Sequence, residues 1–198
     1  MGAPTLLLLR HGETEANRDG RVQGRQDSPL TALGLAQARA MGRAVAARIG
    51  DGAGWRLVSS PLGRCVVTAR LVAAESGLAF GDGSTDPRLA EIDTGSFSGL
   101  TKAELDARRP GLTRGAGLDH WAFQSPDGES HAHLSARLAD WLGGLAPDAR
   151  LVVVSHGIAG RVLRGLSLGL DPDRALRLPS PQDALFHLSD GRIDTVPC

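Results

Sequence analysis

Apolar residues along this chain fall into two kinds of pattern. Short runs, unbroken at residues 6–9, 57–58 and 151–154 and interrupted by polar residues at 184–188 and 193–196, are one kind. Runs this short, bounded by polar and turn residues, predict strands, and those apolar on both faces predict buried ones. Elsewhere apolar side chains recur every three or four positions: Ala38, Met41, Val45 and Ile49, then Leu134, Leu138, Trp141, Leu142 and Leu145. That spacing predicts amphipathic helices. Thr31 caps the first, which ends at Gly50, and Ser130 caps the second. Ser60 with Pro61 opens a further helix running to about residue 77. Others are predicted over 101–109, closed by Pro110-Gly111, and from about 157 to 169. Residues 13–30 lack periodicity and read as a loop, and residues 81–87 as a turn. Asp190-Gly191 joins the last two strands as a hairpin. Strands alternating with helices predict an α/β fold, a three-layer α/β/α sandwich with a largely parallel sheet.

Two predicted strands end in the same way. Residues 6–9 lead into Arg10-His11-Gly12, and residues 151–154 lead into Ser155-His156-Gly157. Ligands of open α/β sheets bind beyond the carboxyl ends of the strands. Polar residues there are therefore candidates for chemistry, and two histidines so presented are expected to face each other across one site.

Composition narrows the alternatives. The 198 residues carry 22 Lys plus Arg against 22 Asp plus Glu. With no net charge, no overall field attracts nucleic acid or an anionic membrane, and an anion must be held by local positive groups. The apolar runs are far shorter than the ~20 residues of a membrane span, and no basic, cleavable leader precedes the first. The two cysteines, Cys65 and Cys198, form neither a disulfide framework nor a Cys/His metal spacing. The expectation is a cytoplasmic chain of one domain, residues 1–198, with no metal and no cofactor.

Arg10-His11-Gly12-Glu13-Thr14 with Asn17 resembles the signature of the histidine phosphatase superfamily, the phosphoglycerate mutase-like proteins. The likeness continues in order along the chain. It takes in Asp27-Ser28-Pro29-Leu30-Thr31 with Gly34 and Gln37, then Ser59-Ser60-Pro61-Leu62 with Arg64, Thr68 and Ala69. Leu89, Glu91-Ile92-Asp93, Gly95 and Gly99-Leu100-Thr101 follow, and last Gly128-Glu129-Ser130 and Ser155-His156-Gly157. The resemblance implies the same sandwich and assigns roles. His11 is the nucleophile: a neutral imidazole attacks phosphorus and splits one displacement into two. Arg10 and Arg64 clamp the phosphoryl oxygens, since guanidinium forks match them bidentately. His156 stabilises the charge built in the transition state, with Gly157 beside it. Asn17, Gln23 and Gly24 supply neutral donors. Glu91 gives the leaving oxygen its proton, which requires surroundings that favour the protonated carboxyl. Asp93, two residues on, faces the other way. Glu13 and Glu129 read as structural, Glu129 orienting a clamp residue.

Within the resemblance, departures from the mutases point to hydrolysis. Lys102 matches a substrate-binding lysine of mutases, but Ile92 stands where they have an arginine, and Trp121-Ala122-Phe123 where two arginines follow a tryptophan. Those cations grip a substrate carboxylate. The expected activity is phosphomonoester hydrolysis of a small phosphorylated metabolite through a phosphohistidine. The alternatives are a cofactor-dependent phosphoglycerate mutase or sugar bisphosphatase, and, from another class, a non-catalytic phospho-ligand binding module. A lobe over the site is expected at about residues 100–128, and specificity is assigned to its residues 111–127. Cys65 reads as a small apolar residue. Members of such a family dimerise, so a homodimer is an expectation of the resemblance alone.

Overall fold

The computed structural model describes residues 3–114 and 119–198. Five strands form one sheet: β1 (Thr5–Arg10), β2 (Trp55–Ser59), β3 (Arg150–Ser155), β4 (Ala184–Ser189) and β5 (Arg192–Pro197), in the order β2-β3-β1-β4-β5. β3 runs parallel to both β1 and β2, whereas β4 is antiparallel to β1 and to β5. The sheet is thus parallel across β2-β3-β1 and antiparallel along one edge. The reason is the connection: parallel neighbours need a crossover helix, while a two-residue turn can only reverse the chain. Asp190 (φ 48°) and Gly191 (φ 69°) make that turn in the left-handed region that such hairpins require.

Residue alternation along β1 assigns its two faces. Leu7 and Leu9 join Val152, Val154 and Leu57 under α2 (Ala32–Ile49) and α3 (Gly63–Ser76). Leu6 and Leu8 join Leu151 and Val153 on the other face. There they meet Leu134, Leu138 and Trp141 of α5 (His131–Gly143) and Ala159, Val162 and Leu163 of α6 (Gly157–Leu168). A central strand apolar on both faces therefore gives the expected three layers, with helices covering each side of the sheet.

Three expectations need correction, and one helix is additional. Residues 13–30 contain α1 (Glu15–Arg18), closed by a capping box between Thr14 and Asn17. It buries no side chain, so apolar periodicity could not reveal it. α3 starts at Gly63 rather than near Ser60, because its free amides are capped from afar: the Asp27 carboxylate accepts from Gly63 N (2.6 Å) and Arg64 N (3.3 Å). α7 (Pro172–Leu176), capped by Asp171, was not predicted although Asp-Pro is a recognised opening. Lastly, α5 ends before Leu145. α4 (Lys102–Arg108) buries Leu105, and a 3-10 turn at Asp119–Phe123 buries Trp121 and Ala122 in the core beside α6. Residues 115–118 of the expected lobe lie outside the described residues.

Candidate active site

The register of β1 on β3 pairs Arg10 with Ser155, so the next residue of each strand is a histidine. His11 N donates to Ser155 O (3.0 Å), and the two imidazoles meet edge to face with ring centres 5.3 Å apart. Both rings are buried, His11 at 2% exposure and His156 at 1%. Burial, then the positive charges of Arg64 and Arg10, hold the His11 imidazole well below its usual range, so it is neutral at pH 7. Burial and the same cations, with His11 itself, do likewise for His156.

Each histidine has one nitrogen fixed. His11 Nδ1 lies 2.8 Å from the carbonyl of Gly12, an acceptor only, so Nδ1 carries the proton and Nε2 keeps its lone pair. His156 Nε2 lies 2.7 Å from the Ser60 hydroxyl, and the Cys65 sulfur is 3.4 Å from the same nitrogen. Cys65 is fully buried, and burial pushes its thiol up, so it is held as the thiol against the imidazole.

A cavity of about 410 Å³ opens at this end of the sheet. Arg10, His11, Asn17, Gln23, Gly24, Arg64 and Glu91 all line it. The structure thus brings to one wall residues up to 81 positions apart in sequence, among them Arg64 and Glu91, to which the resemblance pointed and the strand ends did not. His156 and Gly157 are set behind that wall. His156 touches His11 rather than the cavity, and a Cβ placed on Gly157 would lie 3.6 Å from the Arg10 guanidinium.

The two arginines are anchored by their tips. Arg10 Nη1 donates to Ser180 O (2.6 Å), while Arg64 donates to Gly24 O (2.7 Å), Gln26 O (2.7 Å) and the Asp27 carboxylate (3.1 Å). Among the described residues, the Nε of each is buried without a protein partner. Buried donors are almost always satisfied, so two orphaned guanidinium N–H groups beside one cavity point to an anion. Burial also lowers the Arg10 pKa, an effect that Arg161 and Arg64 reinforce and Glu91 opposes. An arriving phosphate anion relieves this crowding of positive charge.

Glu91 sits at the opening of α6. Its carboxylate accepts from Ala159 N (2.8 Å), Ile158 N (3.1 Å) and Ile92 N (3.1 Å). Asp93 points away, as alternate residues of an extended segment should, and accepts from Gly95 N. Asn17 Oδ1 takes the Gln182 amide (3.1 Å) and Thr14 N (3.3 Å), which turns its own NH2 outward as a free donor. Among the described residues, Gln23 Oε1 is a third buried atom of this cavity wall without a protein partner.

One assignment changes. Glu129 does not orient Arg10 or Arg64. It pairs with Arg137 (2.7 and 2.9 Å), which in turn donates to the Glu91 and Arg88 carbonyls and so steadies the backbone that carries Glu91. Sequence reasoning also missed the supports: Ser60 on His156, Gln182 on Asn17, Asp27 on Arg64, and Asp119, which shares the cavity wall with Lys102 and Trp121. Ser60 and Asp27 did fall within the quoted motifs. Asp119 and Gln182 carried no signal at all. Among the described residues, no group of three or more His, Cys, Asp or Glu is placed to hold a metal ion, and no helix is long and apolar enough to cross a membrane.

Comparison with known proteins agrees with this geometry. The family description "Histidine phosphatase superfamily (branch 1)" matches residues 6–190. A probable phosphoglycerate mutase GpmB from Enterobacter sp. (strain 638) is 40% identical over 179 residues, covering 87% of this chain and 80% of that protein. The mycobacterial glucosyl-3-phosphoglycerate phosphatase, solved with VO3, superposes with TM-score 0.75 at 29% identity, covering 98% of this chain and 97% of that one. A putative alpha-ribazole-5'-P phosphatase from Escherichia coli shares the fold with TM-score 0.76 at 22% identity, over 98% and 95% of the two chains. With a nearly full-length match and its two strand-end histidines side by side, this chain belongs to the histidine phosphatase superfamily, branch 1.

Proposed function

We propose that the protein is a phosphomonoester hydrolase that works through a phosphohistidine on His11. One observation carries the reading: His11 Nδ1 is committed to the Gly12 carbonyl, which leaves Nε2 as an unprotonated nucleophile beside Arg10 and Arg64 donors that lack protein partners. In the first step Nε2 forms a bond to phosphorus, the ester P–O bond breaks, and Glu91, whose carboxylate three backbone amides already serve, passes to the departing alkoxide a proton brought in by the phosphate monoester monoanion. In the second, Glu91 takes a proton from water as its oxygen attacks phosphorus, the P–N bond breaks, and inorganic phosphate leaves with His11 restored. Arg10, Arg64 and the Asn17 amide hold the non-bridging oxygens in both steps. His156, edge-on to His11 and held by Ser60, supports the charge from behind.

A mutase has one observation in its favour, the likeness to proteins named as probable phosphoglycerate mutases. Hydrolysis is preferred because Ile92 and Ala122-Phe123 replace the cations with which mutases grip a carboxylate. Steady-state assay tests both readings. The wild-type chain should release inorganic phosphate from p-nitrophenyl phosphate, and His11→Ala should lose roughly 10³-fold or more of that rate. Interconversion of phosphoglycerates that depends on added bisphosphoglycerate and outpaces phosphate release would instead establish the mutase.

A further inference from the structure

Arg164 of α6 is a large, fully buried side chain to which the proposed chemistry gives nothing to do. Among the described residues no carboxylate pairs with it. Burial, reinforced by Arg161, lowers its pKa to about 10, so it stays cationic at neutral pH. Its guanidinium lies 3.7 Å from the centre of the Phe186 ring, whose π face answers part of the charge. Nε donates to Gly160 O (3.1 Å) within the helix, and Nη2 donates to Pro179 O. An apolar side chain packs such a place at no greater cost. What the charge adds is its hold on the Pro179 carbonyl, a charge-assisted hydrogen bond.

Pro179 belongs to residues 177–183, a strap without regular structure between α7 and β4. Ser180 O accepts from Arg10 Nη1 (2.6 Å) and, among the described residues, is the one hydrogen-bond acceptor that Arg10 finds. Gln182 Nε2 donates to His11 O (3.0 Å) and Asn17 Oδ1 (3.1 Å). Pro179 and Pro181 have no N–H with which to tie the strap to its neighbours. Pro181 does confine Ser180 to extended backbone, as a proline does to the residue before it. With that freedom removed, the direction of Ser180 O follows from where the Pro179 carbonyl and Gln182 are anchored.

We infer that Arg164 is a positioning residue of the phosphate clamp: by gripping Pro179 it holds the strap whose next carbonyl aims the Arg10 guanidinium. The inference rests on the reading of the cavity as a phosphate-ester site, not on the fate of the phosphoryl group.

Orthovanadate, an oxyanion whose binding needs no turnover, is the probe, and calorimetry gives its affinity. Arg164→Met should weaken binding roughly fivefold or more, and Pro181→Ala, which frees Ser180 without touching the buried charge, about threefold. Repeated in Arg10→Ala, the same substitutions should change the affinity by less than about twofold, because the group they aim is gone. A general loss of packing would weaken binding equally in both backgrounds and would overturn the proposal, as would no effect of either substitution. If Arg164→Met does not fold, Pro181→Ala decides by the same comparison, since the strap must govern Arg10. A wild-type chain that does not bind vanadate would sink the phosphate-ester reading together with the proposal. Binding that ignores Arg164 sinks the proposal alone.

Discussion

Arg64 shows how one side chain serves structure and site together. It is 2% exposed, and its two terminal nitrogens satisfy the carbonyls of Gly24 and Gln26, which belong to the loop that supplies Gln23 and Gly24 to the cavity wall. Its Nε–H is left for ligand. A lysine keeps the charge but has no planar fork, so it cannot hold both carbonyls and still reach an anion. Arg64→Lys is therefore expected to weaken inhibition by inorganic phosphate about tenfold or more. It should also destabilise the fold by about 1–3 kcal/mol, the usual cost of leaving a buried carbonyl unpaired. Phosphate inhibition constants and urea unfolding check the two effects, and a variant unchanged in both would contradict this role.

Among elements, the contact that matters most to the site is between the loop after β1 and the start of α2. A Cβ on Gly12 would lie 2.2 Å from Gly34 O, and one on Gly34 would lie 2.0 Å from Glu13 O. The backbone that presents His11 thus presses directly on α2, with no room for a side chain on either glycine. Gly34→Ala should cost about 1–3 kcal/mol through overpacking. It should also lower kcat by up to about 10²-fold, because sub-ångström displacement of a reacting group is expensive. Gly143→Ala is the control: nothing lies within 4 Å of its Cβ position, and its stability should stay within about 0.5 kcal/mol of wild type. Equal behaviour of the two variants, by thermal melts and turnover, would refute the close-contact argument.

This scale also shows what the sequence made legible. Strand ends were readable because an apolar run followed by Arg-His-Gly has a local cause, and β1 with β3 then brings the histidines together. The α5 face was readable for the same reason, Leu134, Leu138 and Trp141 all being buried. Supports that span long separations were not. The cap on α3 comes from Asp27, 36 residues away from Gly63, and Gln182 reaches Asn17 across 165 residues. No local period encodes such pairs. Nor does any local period mark Trp121 and Ala122, which a short 3-10 turn supplies to the core.

For the molecule as a whole, burying two neutral histidines beside two arginines has a consequence for stability against pH. The folded-state pKa values of His11 and His156 both lie well below the ordinary 6.5. Below about pH 6.5 the unfolded chain therefore binds protons that the folded chain refuses, so stability is present above that pH and is lost as pH falls. Each histidine contributes a slope of up to about 1.4 kcal/mol per pH unit. Urea unfolding should show a loss of roughly 2 kcal/mol between pH 6.5 and 5.5, with His156→Asn losing about half as much. The depressed carboxyls of Asp86 and Asp127 act lower, below about pH 4, and do not enter this window. Stability that is flat or rising toward pH 5.5 would show that the histidines are charged in the folded protein.

The neutral His11 is also what the proposed chemistry needs, and the most direct test is to catch it at work. Turnover of a 32P-labelled phosphomonoester is quenched in alkali or denaturant, and the chain is digested and mapped. The account predicts label on the peptide containing residues 10–12, on a linkage lost in acid and stable in base, and none in His11→Ala. Burst-phase turnover with no such adduct, or label on any other side chain, would contradict it.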